Sequence, residues 1–156
     1  MTDAPAANRE LSLTRFIEAS PEALYRCWTE PDLLKQWFAP APWSTPHAEL
    51  DVRVGGAGYI IMSDPEGNEF GNRGVYLEVV PNELLVLTDA YTAAWTPSEK
   101  PFMTTILTFE PEGAGTRYTA RVLHWSVADR EAHEAMGFQE GWGLCTDQLA
   151  ALAARL

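Results

Sequence analysis

Cysteine, basic residues and long hydrophobic runs are scarce in this sequence, and each shortage excludes a class of protein. Two cysteines occur, Cys27 and Cys145, and their spacing fits neither a disulfide framework nor a zinc motif. The 11 Lys and Arg are outnumbered by 22 Asp and Glu, and the net charge of −11 argues against nucleic acid or an anionic membrane as the main partner. No apolar segment is long enough to span a membrane, and the N-terminus does not read as a signal peptide. We therefore expect a cytoplasmic protein with reduced thiols.

Sequence motifs for metals, cofactors and nucleophilic catalysis are also missing. The glycines of residues 55–58 are not followed by Lys-Ser/Thr and a helix, so they predict a turn or bulge rather than a phosphate-binding loop. His47, His124 and His133 lie far apart, which does not support a zinc site, and no serine lies in a Gly-x-Ser-x-Gly frame. We predict no metal and no cofactor, while an active site assembled by the fold stays open.

The chain of 156 residues has the length of one domain. Residues 1–9 are expected to form a flexible tail, and residues 10–156 a single domain. A first strand is followed by two short helices, one with Ser20 as N-cap and Pro21 at its first position, and one with a capping box formed by Thr29 and Asp32. Alternating apolar residues and turn signals then predict six strands, at residues 47–54, 59–62, 69–80, 84–91, 102–110 and 116–125.

A long helix is predicted at the C-terminus, where apolar residues recur every three or four positions from Phe138 to Leu156. Gly137, Gly141 and Gly143 are unfavourable inside a helix and need a reason. Either the helix begins late, near Gln139, or its first turns run close to another backbone or leave space for something else. We favour the second explanation, in which the glycine-bearing end closes one side of a cavity.

These elements predict an α+β fold, in which a curved antiparallel sheet of about seven strands packs its concave face against the long C-terminal helix. Several turn glycines, prolines and core aromatics also carry a family resemblance. They are Pro21, Gly141, Trp142, Leu149 and the segments 37–40, 51–56, 64–70, 74–81 and 115–117.

On these residues the chain resembles the START-like (SRPBCC) superfamily, whose helix-grip fold is shared by birch-pollen-allergen-like proteins and aromatic polyketide cyclases. More narrowly, it resembles the bacterial, single-domain members of the activator of heat-shock-protein-90 ATPase homologue-like family. The resemblance implies the helix-grip fold, a ligand-binding cavity between sheet and helix, and, through the chaperone activators, contact with a chaperone and a role in the stress response.

The candidate ligand-binding residues come from the aromatic set and from strand phase. Buried tyrosine hydroxyls and indole N–H groups need hydrogen-bond partners, and several of them together favour a cavity with polar groups in its wall. Alternation along residues 116–124 directs Tyr118 and His124 toward the helix, whereas residues 59–62 are apolar on both faces and give no phase. The predicted binding residues are Trp37, Phe38, Tyr59, Tyr76, Tyr91, Met103, Thr105, Tyr118, His124, Phe138 and Trp142. Phe16, Trp28, Phe109 and Leu149 are predicted to belong to the core.

Three functions remain open at this stage. The favoured one is binding of a small hydrophobic or amphipathic molecule in the cavity. The second is an enzyme, cyclase-like or hydrolytic, in which His124 acts with a tyrosine or Glu78 as acid and base, although we expect Glu78 to be solvated. The third is an interaction protein related to the chaperone activators. An exposed edge strand would allow a homodimer.

Overall fold

The computed structural model describes residues 8–156, so most of the tail predicted over residues 1–9 lies outside the described residues. Its elements are β1 (Glu10–Ile17), α1 (Pro21–Thr29), α2 (Pro31–Leu34), β2 (Ser44–Leu50), β3 (Ala57–Ser63), β4 (Glu69–Val80), β5 (Leu84–Thr88), β6 (Tyr91–Ala93), β7 (Thr96–Pro97), β8 (Met103–Glu112), β9 (Gly115–His124), α3 (Val127–Ala135) and α4 (Phe138–Ala153).

Seven of the strands form one antiparallel sheet in the order β1-β9-β8-β5-β4-β3-β2. Every neighbouring pair of strands except β1–β9 is consecutive in the chain order of these seven strands. The predicted α+β architecture, with a seven-stranded antiparallel sheet, two short helices after the first strand and a long C-terminal helix, is confirmed. The strands β6 and β7 form a separate small hairpin over residues 91–97, where the sequence predicted a strand ending at residue 91 and no further strand before residue 102.

The start of α1 follows the predicted capping, because the Ser20 hydroxyl accepts a hydrogen bond from the Ala23 N–H at 3.1 Å and Pro21 occupies the first helical position. The capping box predicted for α2 is wrong. Glu30 is the N-cap of α2 and makes no side-chain capping bond. The Thr29 hydroxyl instead donates to the Tyr25 carbonyl at 2.7 Å, since a threonine at a helix end can satisfy its hydroxyl on the preceding turn.

The C-terminal region contains two helices, because Gly137 interrupts the chain between α3 and α4 with φ 92°. Only α4 was predicted. The signal for α3 is Ser126, whose hydroxyl accepts from the Asp129 N–H at 3.1 Å. None of the helices in the described part of the chain is long and apolar enough to cross a membrane.

The core lies where α1 and α4 pack on the sheet, and Leu24, Leu107 and Leu149 are fully buried there. Trp28 and Phe109 are buried as predicted, but Phe16 is 50% exposed. Its neighbour Ile17 takes the inward direction in β1, so alternation turns Phe16 to the outer face.

Candidate functional site

One row of paired residues crosses the sheet beneath the beginning of α4, and we call it the central row. It consists of Tyr76, Leu87, Thr105, Val122 and Leu11, each paired with the next on the neighbouring strand. Residues directly opposite each other in an antiparallel ladder point to the same face of the sheet. Phe138 and Trp142 pack against Val122 and Leu11, so the central row lies on the concave face that α4 covers.

The first turns of α4 meet this row with two stacked rings. The centroids of Phe138 and Trp142 are 5.2 Å apart and their planes are inclined by 29°. Phe138 is buried, Trp142 is half-buried, and Met103 packs beside them. The structure therefore brings together Phe138, Trp142 and Met103 from the predicted binding set, with Thr105 paired to Val122 and Tyr76 two strands further along the same row.

His124 lies at the rim of the concave face in a small aromatic cluster. Its Nδ1 is 2.8 Å from the Arg9 carbonyl oxygen and must donate to it, and its Nε2 is 2.8 Å from Nδ1 of His133. The Phe102 ring contacts both imidazoles, with centroids 5.4 and 5.3 Å away. Burial, with His124 as a second cause, lowers the pKa of His133 to about 4. Both nitrogens of His124 are thus engaged by the protein itself.

The end of the concave face near α1 is closed by buried aromatic packing. The Trp28 indole donates to the Tyr118 hydroxyl at 3.2 Å, and the Trp37 indole donates to the Cys27 carbonyl at 2.9 Å. Burial raises the pKa of Tyr118, which is 1% exposed. Gln148 of α4 closes the same region by donating to the Trp37 and Ala39 carbonyls at 2.9 and 2.8 Å. Tyr118 and Trp37 therefore satisfy their polar atoms internally and act in packing.

The part of the concave face under the first turns of α4, which we call its open end, is less completely buried, because Met103 and Trp142 are only half-buried there. Leu87, Ile60 and Phe38, which pack against the larger core cluster, are half-buried as well, and Phe38 contacts the Trp28 and Trp37 rings of the closed end. A methyl group added to Gly141 would have no neighbouring atom within 4 Å, and at Gly143 the nearest atom is the Arg15 Nη2 at 3.5 Å. The glycines of α4 are therefore not explained by close approach to another backbone, and free space lies beside Gly141.

Tyr59 lies on the outer face of the sheet and not on the concave face. Ile60 packs against the core, so alternation in β3 directs Tyr59 to the opposite face of the sheet. The Arg73 guanidinium lies 3.7 Å from the centre of its ring, and His47 contacts its edge. The sequence could not decide this phase because both faces of the strand are apolar.

Tyr91 lies outside the seven-stranded sheet, and Glu78 points away from the concave face. Tyr91 belongs to the β6–β7 hairpin, where its ring lies 6.5 Å from that of Trp95. Glu78 is exposed, as expected, and it adjoins Val79, which packs inward. An acid–base pair of Glu78 with His124 is therefore excluded, because the carboxylate points away from the concave face.

Four residues of this region were missed by the sequence reasoning: Leu87, Ile60, Phe102 and His133. Leu87 and Ile60 lie in strands that are apolar on both faces, so alternation carries no signal for them. His133 lies on the helix α3, which was not predicted. No group of three or more His, Cys, Asp or Glu suited to a metal ion occurs among the described residues.

Comparison with known proteins agrees with this architecture. The model of the family described as "Activator of Hsp90 ATPase homolog 1-like protein" matches residues 18–154. A crystal structure of a protein from Nitrosomonas europaea is similar with 41% identity, a TM-score of 0.92 and coverage of 96% of both chains.

Two further structures are similar at lower sequence identity. A protein from Chromobacterium violaceum has 28% identity and a TM-score of 0.75, over 93% of this chain and 96% of its own. An AHSA1-like protein from Aeromonas hydrophila has 20% identity and a TM-score of 0.72, over 94% and 92%, and supports the fold alone. No curated protein matches the chain. The match over residues 18–154, together with the helix-grip fold of the START-like superfamily, shows that this chain belongs to the Activator of Hsp90 ATPase homolog 1-like family.

Proposed function

We propose that this protein binds a small hydrophobic or amphipathic molecule between the open end of the concave face and the first turns of α4. The observation that carries the proposal is the half-burial of apolar side chains between the sheet and α4. They include Leu87 and Met103 of the sheet and Trp142 of the helix. The same face is packed tightly around Leu107 and Leu149, which are 0% exposed. Packing on the concave face is thus complete around these two leucines and incomplete around Trp142 and Met103.

The energetic reason is the apolar area that a ligand would remove from water. Each square ångström covered contributes roughly 25 cal/mol. The stacked rings of Phe138 and Trp142 offer a flat apolar wall, and the space beside Gly141 gives a ligand room without displacing a side chain. A site with mostly apolar walls and a few polar groups is typical for small-molecule binding.

The test uses N-phenyl-1-naphthylamine, an uncharged apolar probe whose absorption overlaps tryptophan emission. We expect saturable quenching of tryptophan fluorescence and a rise in melting temperature. At a probe concentration of 100 Kd the added stability is about 2.7 kcal/mol. Trp142→Phe should remove much of the quenching. Trp95→Phe is the matched control, because Trp95 is 89% exposed on the β6–β7 hairpin. If the probe produced neither quenching nor a thermal shift, the proposed function would be wrong.

A further inference from the structure

Two hydroxyl groups of the central row have no hydrogen-bond partner within residues 8–156, those of Tyr76 and Thr105. Both residues are strongly buried, at 2% and 6% exposure. Buried polar groups are nearly always hydrogen-bonded, and each exception needs an explanation. Tyr118, which is equally buried, has its partner in Trp28 at 3.2 Å.

These two hydroxyls are not sealed inside the protein. The fully enclosed, unpartnered side-chain oxygens of the described chain are Oγ1 of Thr45 and Oγ of Ser98. The Tyr76 and Thr105 oxygens do not belong to this group, so each keeps some contact with accessible space. A molecule in that space can bond to them.

The register of the sheet places the two hydroxyls on either side of one apolar residue. Tyr76 pairs with Leu87, and Leu87 pairs with Thr105. Since neighbouring strands lie about 4.8 Å apart, the two Cα atoms are roughly 10 Å from each other. The longer tyrosine side chain can bridge much of that separation. The half-buried Leu87 side chain between them gives the ligand an apolar surface next to both hydroxyls.

Charges around this row are unfavourable for an anionic ligand. Burial raises the pKa of Tyr76, and the charges of Tyr25 and Asp51 raise it further. Asp51 therefore adds negative and not positive potential at the Tyr76 hydroxyl, and its own charge is partly compensated by Arg53, which is paired with it at 2.9 Å. Arg15, whose guanidinium lies beside Gly143, is paired with Asp147 at 2.6 Å. His133, whose pKa is lowered to about 4, offers no positive charge at neutral pH.

A cationic ligand is disfavoured for a different reason. The central row itself consists of uncharged residues, so an ammonium group placed against it would lose its hydration without gaining a carboxylate in contact. A hydroxyl or carbonyl oxygen has no such loss, because the Tyr76 and Thr105 O–H groups replace the hydrogen bonds that it makes to water.

We propose that the ligand is an uncharged amphipathic molecule whose hydroxyl or carbonyl oxygen is bound by Tyr76 and Thr105. This inference rests on the proposed function, since it names the ligand class of the same site.

The first experiment compares ligands of one chain length and different head groups. Displacement of N-phenyl-1-naphthylamine from the wild-type protein is measured with 1-decanol, decan-2-one, decanoate and decylamine at pH 7.5. We expect the alcohol and the ketone to bind at least tenfold more tightly than the carboxylate and the ammonium compound.

The second experiment removes the hydroxyls one at a time. Tyr76→Phe and Thr105→Val should each raise the Kd of 1-decanol about five- to tenfold, which is more than they raise the Kd of the apolar probe. Matched controls are Tyr59→Phe and Thr108→Val, because Tyr59 lies on the outer face and Thr108 alternates with the inward Leu107. The controls should leave both Kd values unchanged.

The outcomes separate this inference from the function on which it rests. If neither the probe nor any decyl compound binds, both are wrong. If the probe binds but decanoate or decylamine matches the alcohol, or if Tyr76→Phe and Thr105→Val behave like their controls, the ligand class is wrong and the proposed function stands. Thermal melting checks that each variant is folded. The head-group comparison needs only the wild-type protein, so it tests the ligand class even if a variant fails to fold.

Discussion

Replacing Gly141 by Ala tests whether the space beside the first turns of α4 is free. Glycine inside a helix is less favourable than alanine by roughly 0.5–1 kcal/mol. The added methyl group would meet no atom within 4 Å, so no steric penalty opposes this gain. We therefore expect the free energy of unfolding to rise by about 0.5–1 kcal/mol. For a chain of this length, that corresponds to an increase in melting temperature of about 1–4 °C.

The measurement is urea unfolding followed by tryptophan fluorescence, with calorimetry for the melting temperature. Gly56→Ala is the contrasting variant. Its new methyl group would lie 1.9 Å from the Asp51 carbonyl oxygen, a backbone atom that cannot rotate away. We expect Gly56→Ala to lower the free energy of unfolding by at least 1–3 kcal/mol, on the order of other overpacked sites. The pair thus compares a glycine with open space and one without.

A loss of stability in Gly141→Ala would refute the reasoning, because it would mean that the methyl group meets packed atoms. Gly141→Leu extends the test to binding. A larger side chain should occupy the free space and weaken binding of N-phenyl-1-naphthylamine at least tenfold while the protein stays folded. Unchanged probe affinity in a folded Gly141→Leu protein would show that the ligand lies elsewhere.

Two further predictions concern the closed end and the rim. Tyr118→Phe should lower the free energy of unfolding in urea by about 1–3 kcal/mol, because it leaves the buried Trp28 N–H without an acceptor; a loss below 0.5 kcal/mol would contradict this. The pKa of His133 falls from 6.5 to about 4 on folding, so the unfolded chain binds more protons between these values. The contribution of His133 to the free energy of unfolding should be fully present above pH 6.5 and decline toward pH 4. Thermal melts at a series of pH values measure this, and His133→Gln should make the melting temperature depend less on pH in that range.

Strand phase shows how far the sequence could predict the site. In β9, apolar and polar residues alternate, so Tyr118 and His124 were correctly directed inward. In β3 both faces are apolar, and the structure was needed to turn Tyr59 outward. Alternation identifies a buried face only where the other face is polar. Thr105 was likewise found by alternation in β8, and it is buried on the concave face.

The sequence could not predict the hydrogen-bond partners of buried hydroxyls, for a different reason. Tyr76 and Tyr118 are both inward-facing tyrosines in strands, and nothing in their local sequence distinguishes them. The partner of Tyr118 is Trp28, 90 positions earlier in the chain, whereas Tyr76 has no partner in the described residues. Only the packing of α1 on the sheet decides which hydroxyl is occupied and which is available.

The sequence by itself determined the order of the seven sheet strands, the two short helices and the long C-terminal helix, the capping of α1 by Ser20 and the amphipathic character of α4. These depend on residues a few positions apart, whose periodicity and backbone preferences act locally. The tertiary structure alone decided that α4 packs tightly at Leu149 and leaves space at Gly141, and that His124 is bonded to His133 and Arg9. Those features depend on atoms brought together from distant parts of the chain, and no local pattern encodes their distances.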